Sequence, residues 1–447
     1  MNVIKASYAA NLCRGKLVGK DTDISAVVRD NREVRGGELF AAISGERFDG
    51  HDFAVAAAEC GASTLLVERE IETPCTQIVV SDTVKALGDI AKGYLATLPA
   101  KCVCITGSVG KTTTKEMCAS VLSEGFKTHK TQGNYNNNIG LPLTIFGMDK
   151  SHEAAVLEIG TNHFGEIFPL ADIANPDAAV ITAIGESHLE AFGNKEGVLS
   201  EKIEILRGLK KDGVAILNGD DELLWGKKNE ISHKVIWFGV ENKECDVFGE
   251  ILQNGMFESS FKVLGSETVF SIACGGIHNI RDALAAIAVG RAFGMEDVKI
   301  ARGLASFKNT GMRQDVFEFE GKTIIRDCYN ANPDSMKASL SLLSETECEG
   351  KKICVLGDML ELGENASELH REIGALAKKC ASRVFVTGAF AEDYRLGAGE
   401  SARVFEDKKS LAGALLKEAE KGDIILVKGS YGTKMWQVIE YLMEERN

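Results

Sequence analysis

The sequence predicts an α/β protein built from three domains. Its 447 residues are too many for one hydrophobic core, because domains average roughly 150 residues. Short apolar runs of strand length alternate with helical stretches, a pattern typical of parallel sheets covered by helices. Hydrophobic residues make up 45% of the chain and only 6 residues are proline, so the composition indicates a globular protein rather than a disordered or fibrous one.

The first domain is placed at residues 1–99. Residues 39–43 and 63–67 are apolar and predict short strands, and the Ala-rich residues 54–60 between them predict a helix. Together these elements indicate a small α/β unit that ends near Pro99.

The second domain is placed at residues 100–311. It opens with an apolar strand at residues 103–105. Its further predicted elements are strands at residues 154–159, 178–184 and 214–217 and a closing helix at residues 279–293. The small and polar residues 306–311 predict the linker to the next domain.

The third domain is placed at residues 312–447, where strand and helix patterns alternate again. The predicted strands are residues 323–325, 353–356, 384–386 and 424–427. Because helical stretches separate them, we expect a parallel, Rossmann-like domain.

The charge of the chain limits its partners. Its 51 basic and 65 acidic residues give a formal net charge of −14, which repels nucleic acid and anionic membranes.

The first 14 residues lack the apolar stretch of a secretory signal, and no run of about 18 apolar residues occurs, so we expect a cytoplasmic protein without membrane insertion. The 12 cysteines include no C-x-x-C pair that would indicate zinc or redox chemistry.

A phosphate-binding loop is the strongest motif. An apolar strand leads into the loop, and a helix is predicted from Thr113 onward. The loop residues are Gly107, Ser108, Val109, Gly110, Lys111, Thr112 and Thr113. Such a loop wraps backbone N–H groups around phosphate oxygens, while its lysine reaches the β and γ phosphates and its threonine hydroxyl holds magnesium. The usual pattern has a glycine where this chain has Ile105, and a glycine-rich turn before a helix is the alternative interpretation.

Three other residues bear on the reaction class, since a phosphate loop alone also fits a kinase or a motor. Glu158 ends an apolar strand at the edge where α/β sheets bind ligands, and we interpret it as a second magnesium ligand. His188 follows another strand, but an ordinary loop histidine is the preferred interpretation from the residues alone. Lys202, on a helix predicted at residues 196–209 beside Glu201, is interpreted as a solvated lysine.

Five segments resemble the Mur ligase family. The loop TGSVGKTT at residues 106–113 is similar to that of the family, which also lacks the early glycine. In the same order as in the family follow TQGNYNNNIGLPL at 131–143, HNIRDALAA at 278–286, DCYNANPDS at 327–335 and GDMLELG at 357–363. The resemblance covers nearly the whole chain.

The resemblance implies an ATP-dependent, amide-forming ligase of peptidoglycan precursor synthesis, and hence of cell-wall growth, cell shape and division. Two of the segments, DCYNANPDS and GDMLELG, are most similar to the branch that joins D-alanyl-D-alanine to UDP-N-acetylmuramoyl-tripeptide through an acyl phosphate. We therefore expect a monomer that uses ATP and Mg²⁺. A sister ligase acting on another UDP precursor or on folate remains an alternative, as does a nucleotide-regulated switch. The third residue of the acceptor peptide is left open between meso-diaminopimelate and lysine.

The resemblance also assigns roles to residues. By this resemblance, Asn279 would contact the adenine side of ATP and Arg313 the γ phosphate. Asp327 would contact the ribose or the C-terminal face of the nucleotide site. Magnesium would be held by Thr112, Glu158, His188 and Lys202, with Lys202 carrying a carbamate. The catalytic residues would be Lys111, Lys202, His188 and Arg313.

Two groups of residues are expected to bind the other substrates. The N-terminal domain resembles the UDP-binding domain of the family through DNR at 30–32 and GERFDGHDF at 45–53, although the second segment alone would be interpreted as a packed turn. The expected substrate-binding residues are Asn31, Arg32, Gly45, Phe48, Asp49, Gly50, His51, Asn136, Asn137, Tyr329, Asn330 and Asn332.

The sequence departs from the family at two positions. Asp282 stands where the family has an asparagine, which puts one adenine-side contact in question. Tyr431 stands where the family has an arginine near the last strand. If that arginine holds the dipeptide carboxylate, Lys428 or Lys434 would have to replace it.

Overall fold

In the residues that the structure describes, three large sheets follow one another along the sequence, and β1 and β3 form a small separate one. The computed structural model describes residues 1–45, 48–309 and 311–444. Each sheet is mostly parallel and has helices packed against it, so the predicted α/β class and three-part architecture are confirmed. In the described part of the chain, no helix is both long and apolar enough to cross a membrane.

The first sheet has five strands and is parallel except at one edge. The elements of this part are β1 Ile4–Lys5, α1 Ala6–Cys13, β2 Lys16–Val18, β3 Asp23–Ile24, β4 Ala26–Val28, β5 Glu38–Ala41, α2 Ala54–Glu59, β6 Thr64–Val67, β7 Thr76–Val79 and α3 Thr83–Leu95. The sheet order is β2-β7-β6-β5-β4, with only β2 and β7 antiparallel, and β1 pairs separately with β3. Strands β5 and β6 and helix α2 lie where the sequence predicts them.

The central sheet has nine strands. Its strands are β8 Lys101–Thr106, β9 Thr128–Lys130, β10 Ala154–Glu158, β11 Ala178–Ile181, β12 Val214–Asn218, β13 Lys234–Gly239, β14 Val247–Asn254, β15 Ser259–Val263 and β16 Val269–Ile272. Its helices are α4 Lys111–Ser123, α5 Gly140–Phe146, α6 Ile167–Ala174, α7 Leu189–Phe192, α8 Lys195–Lys202, α9 Glu222–Gly226, α10 Ile277–Ala292 and α11 Asp297–Ser306. The order β16-β15-β14-β13-β12-β11-β8-β10-β9 is parallel from β9 to β14 and antiparallel beyond it.

Strand β8 lies inside this sheet, between β11 and β10, with helices on both faces. Cys102 and Cys104 pack into the core on one face, and Val103 and Ile105 pack into the core on the other. A strand buried on both faces is apolar throughout, and this continuous apolar run is why the sequence predicts the strand. The strand brings the phosphate loop to the edge of the sheet where ligands bind.

The third sheet has six strands and one antiparallel edge. Its elements are β17 Asp315–Phe319, β18 Lys322–Asp327, α12 Pro333–Glu345, β19 Lys352–Leu356, α13 Ala366–Cys380, β20 Arg383–Val386, α14 Ala391–Ala398, β21 Ala402–Val404, α15 Lys408–Glu418, β22 Ile424–Lys428 and α16 Trp436–Glu444. The order is β17-β18-β22-β19-β20-β21, parallel apart from β17. All four strands predicted here are present, and the Rossmann-like pattern is confirmed.

Candidate active site

The phosphate loop requires glycine at two points. Gly107 has a φ of 151°, and a β-carbon there would lie 1.9 Å from Thr182 Oγ1. Gly110 has a φ of 84°, and a β-carbon would lie 2.4 Å from Asp282 Oδ1. The backbone therefore turns tightly between β8 and α4, as a loop that binds phosphate through its N–H groups must.

Lys111 begins helix α4 and folds back over the loop. Its Nζ donates to the carbonyl oxygens of Gly107 at 2.6 Å and Ser108 at 3.4 Å. Burial lowers the pKa of Lys111, the Glu158 carboxylate opposes this shift, and the nearby Arg313 cation adds to it. Two cations thus converge on the loop although the chain as a whole is acidic.

Glu158 ends β10 with one carboxylate oxygen unused. The side chain is buried, and its Oε1 accepts a hydrogen bond of 2.9 Å from Asn136 Nδ2. Its Oε2 is buried and has no hydrogen-bond partner among the described residues. A buried carboxylate oxygen without a partner is costly, and a divalent cation would satisfy it. Thr112 lines the same cavity, so the residues present fit a Mg²⁺ ion held with phosphate oxygens.

Lys202 is buried, so its interpretation as a solvated lysine is wrong. It is the last residue of α8, with 1% of its surface exposed. The predicted helix stops here, because residues 203–208 continue as a 3₁₀ helix. Burial and the nearby Lys111 cation lower the pKa of Lys202 well below its usual value, and Glu201 opposes this. The structure therefore favours the neutral amine.

Glu201 does not form an ion pair with Lys202. Its carboxylate accepts hydrogen bonds from the backbone N–H groups of Gly165 at 2.7 Å, Glu166 at 3.0 Å and Ile167 at 2.8 Å. These groups begin α6, so Glu201 ties α8 to the start of α6 and fixes the position of the next residue, Lys202.

His188 is more than an ordinary loop residue. It follows β11 and precedes α7, with a left-handed φ of 52° that is rare outside glycine. Its Nδ1 lies 2.6 Å from Glu361 Oε2, in the GDMLELG segment of the third sheet's domain. The interpretation from the residues alone missed this partner, which is distant in sequence.

The nucleotide-side residues form a hydrogen-bonded group around Gln314. Asn279 Nδ2 donates to Gln314 Oε1 at 2.7 Å, and His278 Nε2 lies 3.1 Å from the same oxygen. The backbone N–H of Gln314 reaches Asp327 Oδ1 at 3.4 Å. Asn279 and Asp327 are therefore brought together through Gln314, a residue that the sequence interpretation did not single out.

Lys428 is not free to bind a substrate carboxylate. Its buried Nζ contacts Asp327 Oδ2 and lies 3.3 Å from the carbonyl oxygen of Asn330. Burial acts to raise the pKa of Asp327, but Lys428 and the hydrogen bond from Ser339 outweigh it and lower the pKa. Lys434 does not line the cavity described below. Lys428 is therefore already paired with Asp327, and Lys434 is exposed outside this lining.

Arg313 lies over the ring of Tyr329, one of the expected substrate-binding residues. Its guanidinium carbon lies 4.0 Å from the centre of the Tyr329 ring, an arrangement that attracts the two groups. The Tyr329 ring lies in turn 5.7 Å from the ring of Tyr431. Tyr431, which replaces the family arginine, therefore packs against Tyr329, the ring that also contacts Arg313.

Asp282 lies beside the phosphate loop. Thr114 Oγ1 donates a hydrogen bond of 2.9 Å to its Oδ1. Burial raises the pKa of Asp282 to about 8, although this hydrogen bond and the cations Arg281 and Arg313 act in the opposite direction. At neutral pH the carboxyl is mostly protonated and can donate a hydrogen bond, as the amide of the family asparagine would.

One cavity of about 1100 Å³ collects most of the predicted residues. The predicted residues that line it are Ser108, Val109, Gly110, Lys111, Thr112, Thr113, Asn136, Asn137, Glu158, His188, Asn279, Arg313, Asp327, Tyr329, Asn330 and Asn332. Residues of α3 in the first domain also line it, among them Lys85 and Asp89, which the sequence interpretation missed. Residues of all three domains therefore meet around one space.

The predicted residues of the N-terminal domain lie elsewhere. Those outside the cavity lining are Asn31, Arg32, Gly45, Phe48, Asp49, Gly50 and His51, together with Gly107 and Lys202. Arg32 is exposed and its guanidinium binds Asp30. Phe48 is exposed as well, and Glu46 and Arg47 of the same segment lie outside the described residues.

His51 holds the turn of this segment together. Its ring is buried, with Nδ1 2.6 Å from Asp49 Oδ1. Its Nε2 accepts a hydrogen bond of 2.8 Å from the backbone N–H of Glu68. Because both ring nitrogens are occupied, the ring shapes the turn and is not available to contact a substrate.

Comparison with known proteins agrees with this architecture. Family models match residues 23–94 ("Mur ligase family, catalytic domain"), 105–290 ("Mur ligase middle domain") and 312–431 ("Mur ligase, glutamate ligase domain"). The UDP-N-acetylmuramoyl-tripeptide--D-alanyl-D-alanine ligase of Bacillus subtilis (strain 168) is 42% identical over 97% of both chains.

Solved structures give the same result. A crystal structure of MurF from Acinetobacter baumannii is 31% identical, with a TM-score of 0.93, and covers 99% of this chain and 100% of that one. MurF from Thermotoga maritima in complex with ADP is 31% identical, with a TM-score of 0.85, over 94% of this chain and 98% of that one. The chain belongs to the Mur ligase family.

Proposed function

We propose that the protein is an ATP-dependent ligase that joins D-alanyl-D-alanine to UDP-N-acetylmuramoyl-tripeptide in peptidoglycan precursor synthesis. The observation that carries this proposal is the single cavity in which the phosphate loop faces the DCYNANPDS residues. A ligase needs its nucleotide and its amine within reach of one carboxylate, and this cavity places both groups of residues around one space. The relative from Bacillus subtilis bears the name of this reaction.

The chemistry follows from the weakness of a carboxylate as an acyl donor. An oxygen of the tripeptide's terminal carboxylate attacks the γ phosphorus of ATP, the bond to the β-phosphate oxygen breaks, and ADP leaves. The dipeptide amine then attacks the carbonyl carbon of the acyl phosphate, loses a proton, and phosphate leaves. Lys111 and Arg313 offset the negative charge that moves between the phosphate oxygens in the first step.

Mg²⁺ and a carbamate on Lys202 complete the proposal. Thr112 and Glu158 would hold the cation, with His188 beside it, and the cation would neutralise charge on the nucleotide phosphates. The neutral amine of Lys202 can add CO₂ and release a proton, which turns a buried lysine into a carboxylate. The unpartnered oxygen of Glu158 and the depressed pKa of Lys202 support this arrangement.

The outer domains would bind the two substrates. Residues 1–99 would take the UDP moiety through the segments around Arg32 and Phe48, with residues 100–311 holding ATP. Residues 312–447 would take the dipeptide, where Asn332 supports the assignment because its buried Nδ2 has no partner among the described residues. We propose that the enzyme acts as a monomer, since residues from all three domains of one chain line the cavity. We also propose that it acts in the cytoplasm.

ADP release from the purified protein tests the proposal. With ATP, Mg²⁺ and UDP-N-acetylmuramoyl-tripeptide, we expect release to depend on added D-alanyl-D-alanine. Tripeptides that carry meso-diaminopimelate or lysine at the third position are compared in parallel. Single D-alanine or L-alanine should support little turnover, because the site must accommodate both residues of the dipeptide. Equal rates with the monomers would reject this acceptor, and release that no amine stimulates would reject the ligase reaction.

A further inference from the structure

Residues 185–190, which we call the bridge segment, are bonded to the phosphate loop on one side. The segment connects β11 to α7. Its Gly185 N–H donates to Ser108 Oγ at 2.9 Å, and the Ser108 hydroxyl lies 3.2 Å from the Gly185 carbonyl oxygen. Ser187 Oγ lies 3.0 Å from the same Ser108 oxygen. Both serines are buried, so the start of the bridge segment and the phosphate loop form one unit.

The other side of the bridge segment is bonded to the C-terminal domain. The Glu186 N–H donates to Asp334 Oδ2 at 2.6 Å, and His188 Nδ1 lies 2.6 Å from Glu361 Oε2. Asp334 belongs to the DCYNANPDS segment and Glu361 to GDMLELG. Two segments of the C-terminal domain therefore hold residues 186 and 188 of a loop that belongs to the central domain.

Packing supports these polar contacts. Leu189 packs against a hydrophobic core formed mostly by residues of the C-terminal domain. Gly363 has a φ of 63°, and a β-carbon there would lie 3.3 Å from Glu190 Cα. The bridge segment thus docks closely along much of its length, which restricts how it can move while the domains are in contact.

Both partners of the His188–Glu361 contact have an unfavourable backbone conformation. His188 has a φ of 52° and Glu361 a φ of 63°. A left-handed conformation costs a non-glycine residue roughly 1–2 kcal/mol, so it persists where surrounding contacts enforce it. The contact between the two domains is the interaction that the two residues share.

The contact also fixes the chemistry of the imidazole. When Nδ1–H donates to the Glu361 carboxylate, Nε2 keeps its lone pair. That lone pair can bind a cation or accept a hydrogen bond from a cation-bound water, and a carboxylate behind a histidine orients it for this task in many metal sites. His188 lines the same cavity as Glu158, which would hold the proposed cation.

We propose that Asp334 and Glu361 are positioning residues through which docking of the C-terminal domain sets the bridge segment, so that His188 adopts its working geometry only in the docked enzyme. This inference rests on the proposed ATP-dependent ligation. Phosphoryl transfer is thereby tied to the domain that supplies the amine, which protects the acyl phosphate from water.

Equilibrium binding to the full-length protein tests the inference without relying on turnover. The probe is the non-hydrolysable ATP analogue adenylyl imidodiphosphate, titrated by calorimetry with Mg²⁺ and with a chelator. In Glu361→Ala we expect the Mg²⁺-dependent tightening to fall about 10-fold or more, the usual effect of losing a residue that orients a metal-binding histidine. Binding of the metal-free analogue should stay unchanged. Glu361→Gln should keep most of the tightening, because its amide oxygen still accepts the Nδ1–H bond.

Lys337→Ala is the matched control. Lys337 lies in the same interface, 3.8 Å from Glu186 Oε2, and is 45% exposed, so its loss should leave the tightening unchanged. Wild-type tightening in Glu361→Ala would overturn the inference, and so would a Glu361→Gln protein as defective as Glu361→Ala.

Hydrogen exchange provides a second measurement should Glu361→Ala fail to fold. In Asp334→Ala we expect faster exchange of the Glu186 amide together with weaker Mg²⁺-dependent tightening. Unchanged exchange and tightening would overturn the inference. Wild-type protein that shows the tightening but no dipeptide-dependent ADP release would reject the proposed function alone, which keeps the two failures distinct.

Discussion

Replacing Asp282 with asparagine is expected to make the central domain increasingly more stable than the wild type as the pH rises from about 5.5 to about 7.5. Burial raises the pKa of Asp282 to about 8 from an ordinary value of 3.8, against the opposing effects of Thr114, Arg281 and Arg313. Between these two values the folded protein holds a proton that the unfolded chain releases. Stability that is fully present at low pH is therefore lost as the pH rises toward the folded-state pKa.

The size of the effect follows from proton linkage. One proton released on unfolding lowers the free energy of unfolding by about 1.4 kcal/mol for each pH unit. Over two pH units the wild type should lose roughly 2–3 kcal/mol through this group. An asparagine has no proton to release, and its amide can maintain the hydrogen bond with Thr114 Oγ1. The difference between variant and wild type should grow by that amount.

Urea unfolding followed by tryptophan fluorescence measures this difference. Trp225 and Trp237 lie in the central domain, with ring centres 4.9 Å apart, and a Trp436→Phe background removes the remaining tryptophan of the chain. A probe confined to one domain is needed, because a three-domain chain need not unfold in one step.

Asp297→Asn is the matched control in the same domain. The hydrogen bond from Arg291 lowers the pKa of Asp297, so this carboxyl is ionised throughout the range and its contribution is constant. Its variant should differ from the wild type by the same amount at every pH. If the difference between Asp282→Asn and the wild type is equally flat, Asp282 is ionised in the fold and the argument from burial is refuted.

Three further predictions concern the proposed reaction. Lys111→Ala should lower kcat about 10²- to 10³-fold with an unchanged Tm, because a cation at the transferring phosphoryl group is lost; a wild-type kcat would contradict the phosphate-loop assignment. Glu158→Gln should raise the Mg²⁺ concentration for half-maximal activity roughly 10-fold or more, measured by titrating Mg²⁺ at saturating ATP, and an unchanged titration would remove Glu158 from the metal site. Lys202→Ala should lose most activity and regain part of it with short carboxylic acids, while native mass spectrometry of the wild type in bicarbonate should detect one added CO₂; full activity in bicarbonate-free buffer would argue against the carbamate.

The parts of the fold that were predictable are those with a continuous apolar pattern. Strands β8, β10, β11 and β12 are buried on both faces, so nearly every residue is apolar and the run is visible in the sequence. The antiparallel extension of the sheet was missed. Strand β14 is buried only in its first half, and β15 and β16 alternate buried with more exposed residues over four or five positions, too short for a firm pattern.

The same distinction applies to the site. Residues that act within one short segment were predictable, and contacts between residues far apart in sequence were not. The phosphate loop was found from the residues alone because its glycines and lysine act through the backbone of one short segment. The contact between Glu186 and Asp334 joins residues 148 positions apart, and neither residue has a neighbour in sequence that indicates it. Burial of Lys202 has the same origin, because the packing of α8 against the rest of the domain decides it. For Lys202, resemblance to the family indicated a role that the local sequence did not.

The burial of Lys202 and the charges around it determine which chemical form of its side chain is favoured. An ammonium group in the interior is costly without a carboxylate beside it, and the nearest acidic neighbour in sequence, Glu201, is already bonded to three backbone N–H groups. The cation of Lys111 makes a second positive charge more unfavourable still. A neutral amine removes the repulsion between Lys111 and Lys202, but it provides no anionic oxygen for a cation bound to phosphate. A carbamate would reverse the sign, so that Lys111 would attract the same side chain and Mg²⁺ would gain a second carboxylate in addition to Glu158. Burial keeps the amine of Lys202 neutral and so able to add CO₂, and Lys111 and Mg²⁺ would offset the charge of the resulting anion.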